Sequence, residues 1–150
     1  MGIDELDERI LDELLKNSRR SYNQLADHLG ISTGTVLKRI KDMESDGIIQ
    51  RYSAILDNRK LGYEITAIIE VAASKGKLAE METSVAKLSG ICAVYDTTGT
   101  ADVILICKFK HTDELSGFIK QLLNMPSVER TNTHLVLNTI KEDFRLLGTR

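Results

Sequence analysis

The sequence predicts an α+β chain in two parts, a three-helix unit followed by a four-stranded sheet in the order βαββαβ. Three observations carry this reading. Over residues 4–47 apolar side chains recur at three- and four-residue steps in three separate runs, the period of a buried helix face. Beyond Gly62 the rhythm changes to alternation in four runs, the period of half-buried strands, with two helical runs between them. The polar segment DNRKLG over 57–62 separates the two rhythms and combines charge, turn formers and a glycine. The expected division is therefore a first domain over 1–57, a linker over 58–62 and a second domain over 63–150.

The spacing predicts a first helix over 4–17, with Leu6, Ile10, Leu11, Leu14 and Leu15 along one side. Asp4, Glu5, Asp7 and Glu8 give it an acidic first turn suited to the helix dipole, and together with Asp12 and Glu13 they read as a solvated face. In the next run Leu25, Ala26 and Leu29 form the stripe of a short second helix. Gly30 follows where a left-handed residue would stop it, and Ile31 plugs the angle that results. Ser32 is a good N-cap for a third helix, whose buried stripe is Val36, Leu37, Ile40 and Met43. After Gly47 the run IIQRYSAILD alternates and is expected to be a strand, serving as a wing beside the helices and then as a tether.

In the second part residues 64–73 alternate as a strand, and 76–88 carries Leu78, Met81, Val85 and Leu88 at helical spacing. Strands are expected over 91–98 and 102–110. A helix follows over 113–123, with Leu115, Phe118, Ile119 and Leu122 inward, and a long strand runs over 128–140 after Pro126. This order is a split βαβ, or ferredoxin-like, sheet with both helices on one face. The uncovered face would display Ile65, Ala67, Ile69, Val103 and Leu105, or their alternates. An apolar sheet face with no helix over it asks for a partner, so dimerisation through this domain is expected.

Composition narrows the classes of function. No run approaches about 18 uninterrupted apolar residues, and the N-terminus is acidic where a signal peptide would need cations, so a soluble cytoplasmic protein with no membrane partner is expected. Cys92 and Cys107 form no Cys-x-x-Cys pair and lie in apolar strand-like runs, which reads as two buried thiols. His28, His111 and His134 lack metal-ligand spacing, and there is no nucleophile with an evident base and no phosphate-binding glycine loop. No catalytic residue, metal or cofactor is expected.

The first part points to nucleic acid. Two short helices joined by a tight turn at Gly30 would set the third helix of the chain into a DNA major groove. Its face away from the core carries Gly34, Thr35, Lys38, Arg39 and Lys41. Thr35 and Lys38 would reach base edges while Arg39 and Lys41 hold phosphate. Ser21 and Tyr22 at the start of the second helix, with Ser32 and Thr33 at the start of the third, complete the expected contact set. A helical hairpin buried in a core would share the apolar spacing but leaves this small polar and basic face unexplained. The net charge of −2 opposes DNA binding only on average. From Lys16 to Lys41 stand Lys16, Arg19, Arg20, Lys38, Arg39 and Lys41 against Asp27 alone. With so few cations per chain, useful affinity calls for several copies on one DNA.

The opening LDERILDELLKNSR, the run LADHLGISTGTVLKRIKDMESDGII, the tether YSAILDNRKLGY, the loop TTGTAD and the final VERTNTHLVLNTIK, in this order and spacing, resemble the Lrp/AsnC family of leucine-responsive regulators over nearly the whole chain. The resemblance implies a winged helix-turn-helix domain that binds double-stranded DNA. It also implies a ferredoxin-like domain that dimerises, assembles to tetramers or octamers and binds a small effector, usually an amino acid. It locates the effector site around the loop between the second and third strands, here Thr98, Gly99, Thr100 and Asp102, and carries Thr131 and Thr133 over as a facing element. Gly99 would let backbone N–H groups approach a carboxylate, and Asp102 would accept from an α-ammonium. Taken by itself the loop reads equally as a hairpin turn. Ala101 stands where that family often has a bulky residue, and if this removes the pocket, an architectural DNA-compacting protein without effector becomes the alternative. A tetrapyrrole decarboxylase-like enzyme on the same architecture is a further one, but it would leave the basic helix without purpose.

Overall fold

A computed structural model describes residues 2–146; Met1 and residues 147–150, which close the two expected domains, lie outside the described residues. The chain forms two compact units. One is built on the residues up to Ile55 together with the segment from Lys141, and the other is Leu56–Ile140. Residues 141–146 group with the first unit.

In the first unit α1 (Glu5–Lys16) opens on a reciprocal capping box: the Asp4 carboxylate accepts from the Asp7 N–H at 2.9 Å, and Asp7 accepts from the Asp4 N–H at 3.2 Å. The same device opens α2 (Tyr22–Leu29), between Ser21 and Gln24. Gly30 closes α2 at φ +71°, a left-handed turn that only glycine adopts at little cost. The Ser32 hydroxyl then accepts from the Thr35 N–H at 3.1 Å and starts α3 (Thr33–Ser45). Ile10, Leu25, Ala26, Leu29, Val36, Ile40 and Met43 meet in one core, the stripes read from the sequence.

The strand expected after Gly47 is not formed. The N–H groups of Ile48 and Ile49 both donate to the Met43 carbonyl, at 2.9 and 3.1 Å, finishing α3, and residues 50–57 carry no regular element. Alternation is necessary for a strand but not sufficient, because a ladder needs a partner, and no described residue pairs with this run. Residues 58–62 make a turn closed by the Tyr63 N–H on the Asn58 carbonyl at 2.9 Å.

The second unit runs β1 (Ile65–Ala73), α4 (Leu78–Val85), β2 (Ile91–Asp96), β3 (Val103–Phe109), α5 (Thr112–Leu123) and β4 (Val128–Leu135). The strands lie in the order β2-β3-β1-β4, every pair antiparallel, which is the ferredoxin-like arrangement. Ala67, Ile69 and Val71 of β1 and Val103, Leu105, Cys107 and Phe109 of β3 pack under Met81 and Val85 of α4 and Leu115, Phe118 and Leu122 of α5. The open face therefore carries the alternates: Ile68 and Glu70 of β1, Ile104 and Ile106 of β3, and their register partners on the outer strands.

Three expectations need correction. The last strand stops at Leu135 instead of 140; past it the Val136 N–H still donates to the Thr66 carbonyl, and the ladder to β1 goes no further. The helix expected over 76–88 is only Leu78–Val85, with no side chain capping its start. Cys92 is exposed, since the ladder shifts register between Ile91 and Ala93 and leaves it out of the pleat, whereas Cys107 lies in the core, where burial pushes its thiol up to about 12. Among the described residues no helix is long and apolar enough to cross a membrane.

Candidate nucleic-acid interface and effector recess

α3 presents the small and basic face expected of it. Ser32, Thr33, Gly34, Lys38 and Lys41 are exposed and Thr35 is half-buried, while Ser21 and Tyr22 stand exposed at the start of α2. Gly34, Lys38 and Lys41 follow one another at helical steps along a single face. No carboxylate among the described residues pairs with either lysine, so both are available to an external anion. Two polar contacts pre-organise the approach: Ser32 Oγ and Thr35 Oγ1 are 2.8 Å apart, and Thr33 Oγ1 donates to Asn23 Oδ1 at 2.9 Å. Asn23, absent from the sequence reading, thereby ties α2 to the tip of α3.

Arg39 behaves differently from its neighbours. It was expected to hold phosphate, yet its guanidinium donates to the carboxylates of Asp4 and Asp7 on α1, the latter at 3.0 Å. Asp7 is only 2% exposed. Arg39 thus fixes α3 against α1, and its hydrogen bond holds the Asp4 carboxyl below the usual range. A second clasp centres on Glu13, also buried, which receives Lys16 Nζ at 2.8 Å, the Arg20 guanidinium, and His28 Nε2 at 3.4 Å. The hydrogen bond from Lys16 and the positive charges around it lower the Glu13 carboxyl against the opposing effect of burial. The acidic run of α1, expected to be solvated, is therefore partly structural. Asp7 is taken inward by the distant Arg39, and Glu13 by the nearby Lys16 and Arg20 together with His28 of α2.

In the second unit the loop between β2 and β3 is tied at both ends. The Thr97 N–H donates to the Asp102 carbonyl at 2.9 Å, and the Asp102 N–H donates to Val71 at 3.1 Å. Asp102 Oδ2 accepts from the Ala73 N–H at 2.8 Å, so the carboxylate expected to meet an ammonium already anchors the loop to β1. Gly99 sits at φ +121° with open space around it. Beside this loop an open recess of about 270 Å³ is lined by Glu70, Ala72, Thr100, Ala101, Arg130, Thr131 and Asn132. Of the expected effector residues it takes in Thr100 and Thr131, but not Thr98, Gly99, Asp102 or Thr133. Thr131 and Thr133 pair with Val71 and Ile69, which puts their side chains on the helix-covered face and half-buries them. Glu70 and Arg130 were not anticipated. Among the described residues no three His, Cys, Asp or Glu side chains group to hold a metal.

Residues 66–146 match the model of the Lrp/AsnC ligand binding domain, and residues 3–50 match a winged helix-turn-helix DNA-binding model. The chain is 44% identical over 146 residues to an uncharacterised HTH-type transcriptional regulator of Pyrococcus horikoshii, covering 97% of this chain and 99% of that protein. Among solved structures it is similar to Escherichia coli AsnC, with TM-score 0.90, 26% identity and coverage of 95% and 97% of the two chains. It is also similar to a Neisseria meningitidis transcriptional regulator in complex with L-Met, with TM-score 0.88, 28% identity and 95% of each chain covered.

Proposed function

The chain belongs to the Lrp/AsnC family of transcriptional regulators, and from that premise we propose that it binds specific DNA sequences in response to a small effector, an amino acid. It is a regulator with a DNA-binding helix-turn-helix and a ligand-binding domain, and not an enzyme, which removes the decarboxylase alternative. One observation supports the DNA reading most directly: the exposed tip of α3 carries small polar residues, and behind them Lys38 and Lys41 meet no carboxylate among the described residues. Thr35 and Lys38 read base edges, Lys41 holds phosphate, and Ser21, Tyr22, Ser32, Thr33 and Gly34 line the approach. Arg39 is a positioning residue that orients α3.

A homodimer would set two copies of α3 into successive major grooves of a pseudo-palindromic site, roughly 34–36 Å apart. Assembly to tetramers or octamers would link effector binding to DNA occupancy. The L-Met bound by the Neisseria relative supports an amino acid as effector; the residues expected around it are Thr98, Gly99, Thr100, Asp102, Thr131 and Thr133, of which Thr100 and Thr131 line the recess. The cytoplasm is where such a regulator meets its DNA. The use of the Asp102 carboxylate inside the fold favours the second reading, an architectural protein without effector. Selection of bound genomic fragments with and without a panel of amino acids decides between them. The Lys38→Ala variant should lose about 1–3 kcal/mol on the selected site if Lys38 reads a base, and unchanged affinity would refute the assignment of α3.

A further inference from the structure

We infer that Arg19, in the turn between α1 and α2, is a further phosphate contact of the DNA interface, and that its neighbour Arg20 takes no part in that contact. This rests on the reading above that α3 enters DNA. Most cations of the first unit are spent inside it. Arg20 reaches the buried Glu13, Lys16 meets the same carboxylate at 2.8 Å, and Arg39 is held by Asp4 and Asp7. Arg9 Nη2 donates to the Leu29 carbonyl at 3.3 Å, in the last turn of α2. Among the described residues Lys38 and Lys41 meet no carboxylate, and neither does Arg19, which is exposed. Arg51 meets none either, but it lies on the stretch after α3 that carries no regular element. Of the cations from Lys16 to Lys41 that the fold leaves available, Arg19 is the one not on α3.

The turn deals with its two arginines in opposite ways. Asn17 closes α1 in an extended conformation; its Oδ1 accepts from the Arg19 N–H at 3.0 Å, and its carbonyl accepts from the Arg20 N–H at 3.3 Å. Ser21 follows as the cap of α2, bonded both ways with Gln24. Arg19 therefore stands on backbone held on both sides, two residues ahead of an N-cap, with its side chain in solvent while that of Arg20 is drawn to Glu13. α2 is in turn fixed to α3: Asn23 accepts from Thr33 at 2.9 Å, and Leu25, Ala26 and Leu29 share a core with Val36 and Ile40. In a helix-turn-helix the first helix crosses the phosphate backbone when the second enters the major groove. With α3 in the groove the N-terminal edge of α2 meets that backbone, and Arg19 brings a full positive charge to the edge where Ser21 and Tyr22 stand. A guanidinium forks onto two phosphate oxygens and releases condensed counterions in doing so. Such contacts fix position and carry no sequence information of their own, so Arg19 adds affinity and orientation, not choice of site.

The test is a salt titration of the full-length protein on two duplexes of about 30 bp, long enough for half-sites a helical turn apart, one of mixed sequence and one selected from a random pool. Each variant is also melted. Arg19→Gln should melt like the wild type and lower the salt slope by about 0.9 per chain on both duplexes, so that the advantage of the wild type shrinks about three- to fourfold per chain between about 50 and 200 mM salt. Arg19→Lys should keep the slope. Arg20→Gln should do the reverse of Arg19→Gln, melting lower with its slope unchanged, because it takes a charged partner from the buried Glu13. If Arg19→Gln keeps the wild-type slope while Lys41→Ala loses its share, Arg19 does not touch DNA and the inference falls, although the reading of α3 stands. A loss confined to the selected duplex would make Arg19 a reader of bases and overturn the phosphate assignment. If neither Arg19→Gln nor Lys41→Ala changes the slope, or the wild type binds neither duplex at about 50 mM salt, the DNA reading fails and this inference with it.

Discussion

Replacing Asp7 by alanine separates the two roles open to Arg39, structural clasp or phosphate contact. Asp7 is 2% exposed, accepts from Arg39 at 3.0 Å and completes the capping box with Asp4. Losing a hydrogen bond to a charged partner costs about 1.5–3 kcal/mol, and losing half of a capping box adds a further ~0.5–1 kcal/mol. The sum is roughly 2–4 kcal/mol, against a total of about 3–8 kcal/mol for a unit of this size. At about 4–8 °C per kcal/mol the melting temperature of the first unit should fall by some 10–30 °C. The assay is thermal unfolding of Asp7→Ala, Arg39→Met and the double variant, paired with a salt titration of DNA affinity for Arg39→Met and Lys41→Ala. The two single losses should be strongly non-additive, since each removes the same contact. Lys41→Ala should lower the salt slope by about 0.9 per chain, and Arg39→Met should leave it unchanged. An Arg39→Met protein that melts like the wild type yet loses about 0.9 of slope refutes the clasp.

Glu13 should make the first unit acid-labile. Its carboxyl is held below its ordinary value of 4.5, so its contribution to stability is complete above that pH and is lost as pH falls through the lower folded-state value. Melting temperatures between about pH 6 and 3 should drop less steeply for Glu13→Gln than for the wild type, and parallel curves would dismiss the idea. In the second unit a Cβ at Gly90 (φ +85°) would lie 2.7 Å from the Phe109 ring, itself packed on Phe118 at 5.2 Å. Gly90→Ala should therefore cost about 2–5 kcal/mol, strain plus overpacking, whereas Gly76→Ala, in open space, should show only the strain of about 1–2 kcal/mol; equal losses in chemical denaturation would contradict this. Ile106→Asp, on the open sheet face, should convert the assembly to monomers in light scattering, and an unchanged mass would place the interface elsewhere.

The parts of this fold that were legible in the sequence are those whose causes are local. Ser32 and Gly30 announce helix ends because caps act within a few residues, and the stripes of α2 and α3 repeat within two turns. Asp7 and Glu13 misled, because an acidic run looks solvated until Arg39 of α3, His28 of α2 and Arg20 of the intervening turn are brought to it. The alternation after Gly47 misled for the opposite reason, as the pattern is present and the partner strand is not. Glu70 and Arg130 are 60 positions apart and become neighbours only through the β1–β4 register, which no local rule supplies. The basic face of α3 was readable, but which of its cations remain free was not.

The exit of the chain from α3 has a mechanical meaning. Both Ile48 and Ile49 hang from the Met43 carbonyl, Ile49 packs on the first core, and the Tyr52 hydroxyl is 2.8 Å from Glu44. These bonds grip the last turn of the helix at successive points, and beyond them Ile55 and Leu56 are 82% and 62% exposed. Helix α3 therefore ends in a hydrogen-bonded last turn, followed by a stretch without regular structure. A substitution at Ile49 or Tyr52 therefore acts on the last turn of α3 itself, because those residues pack or bond onto it.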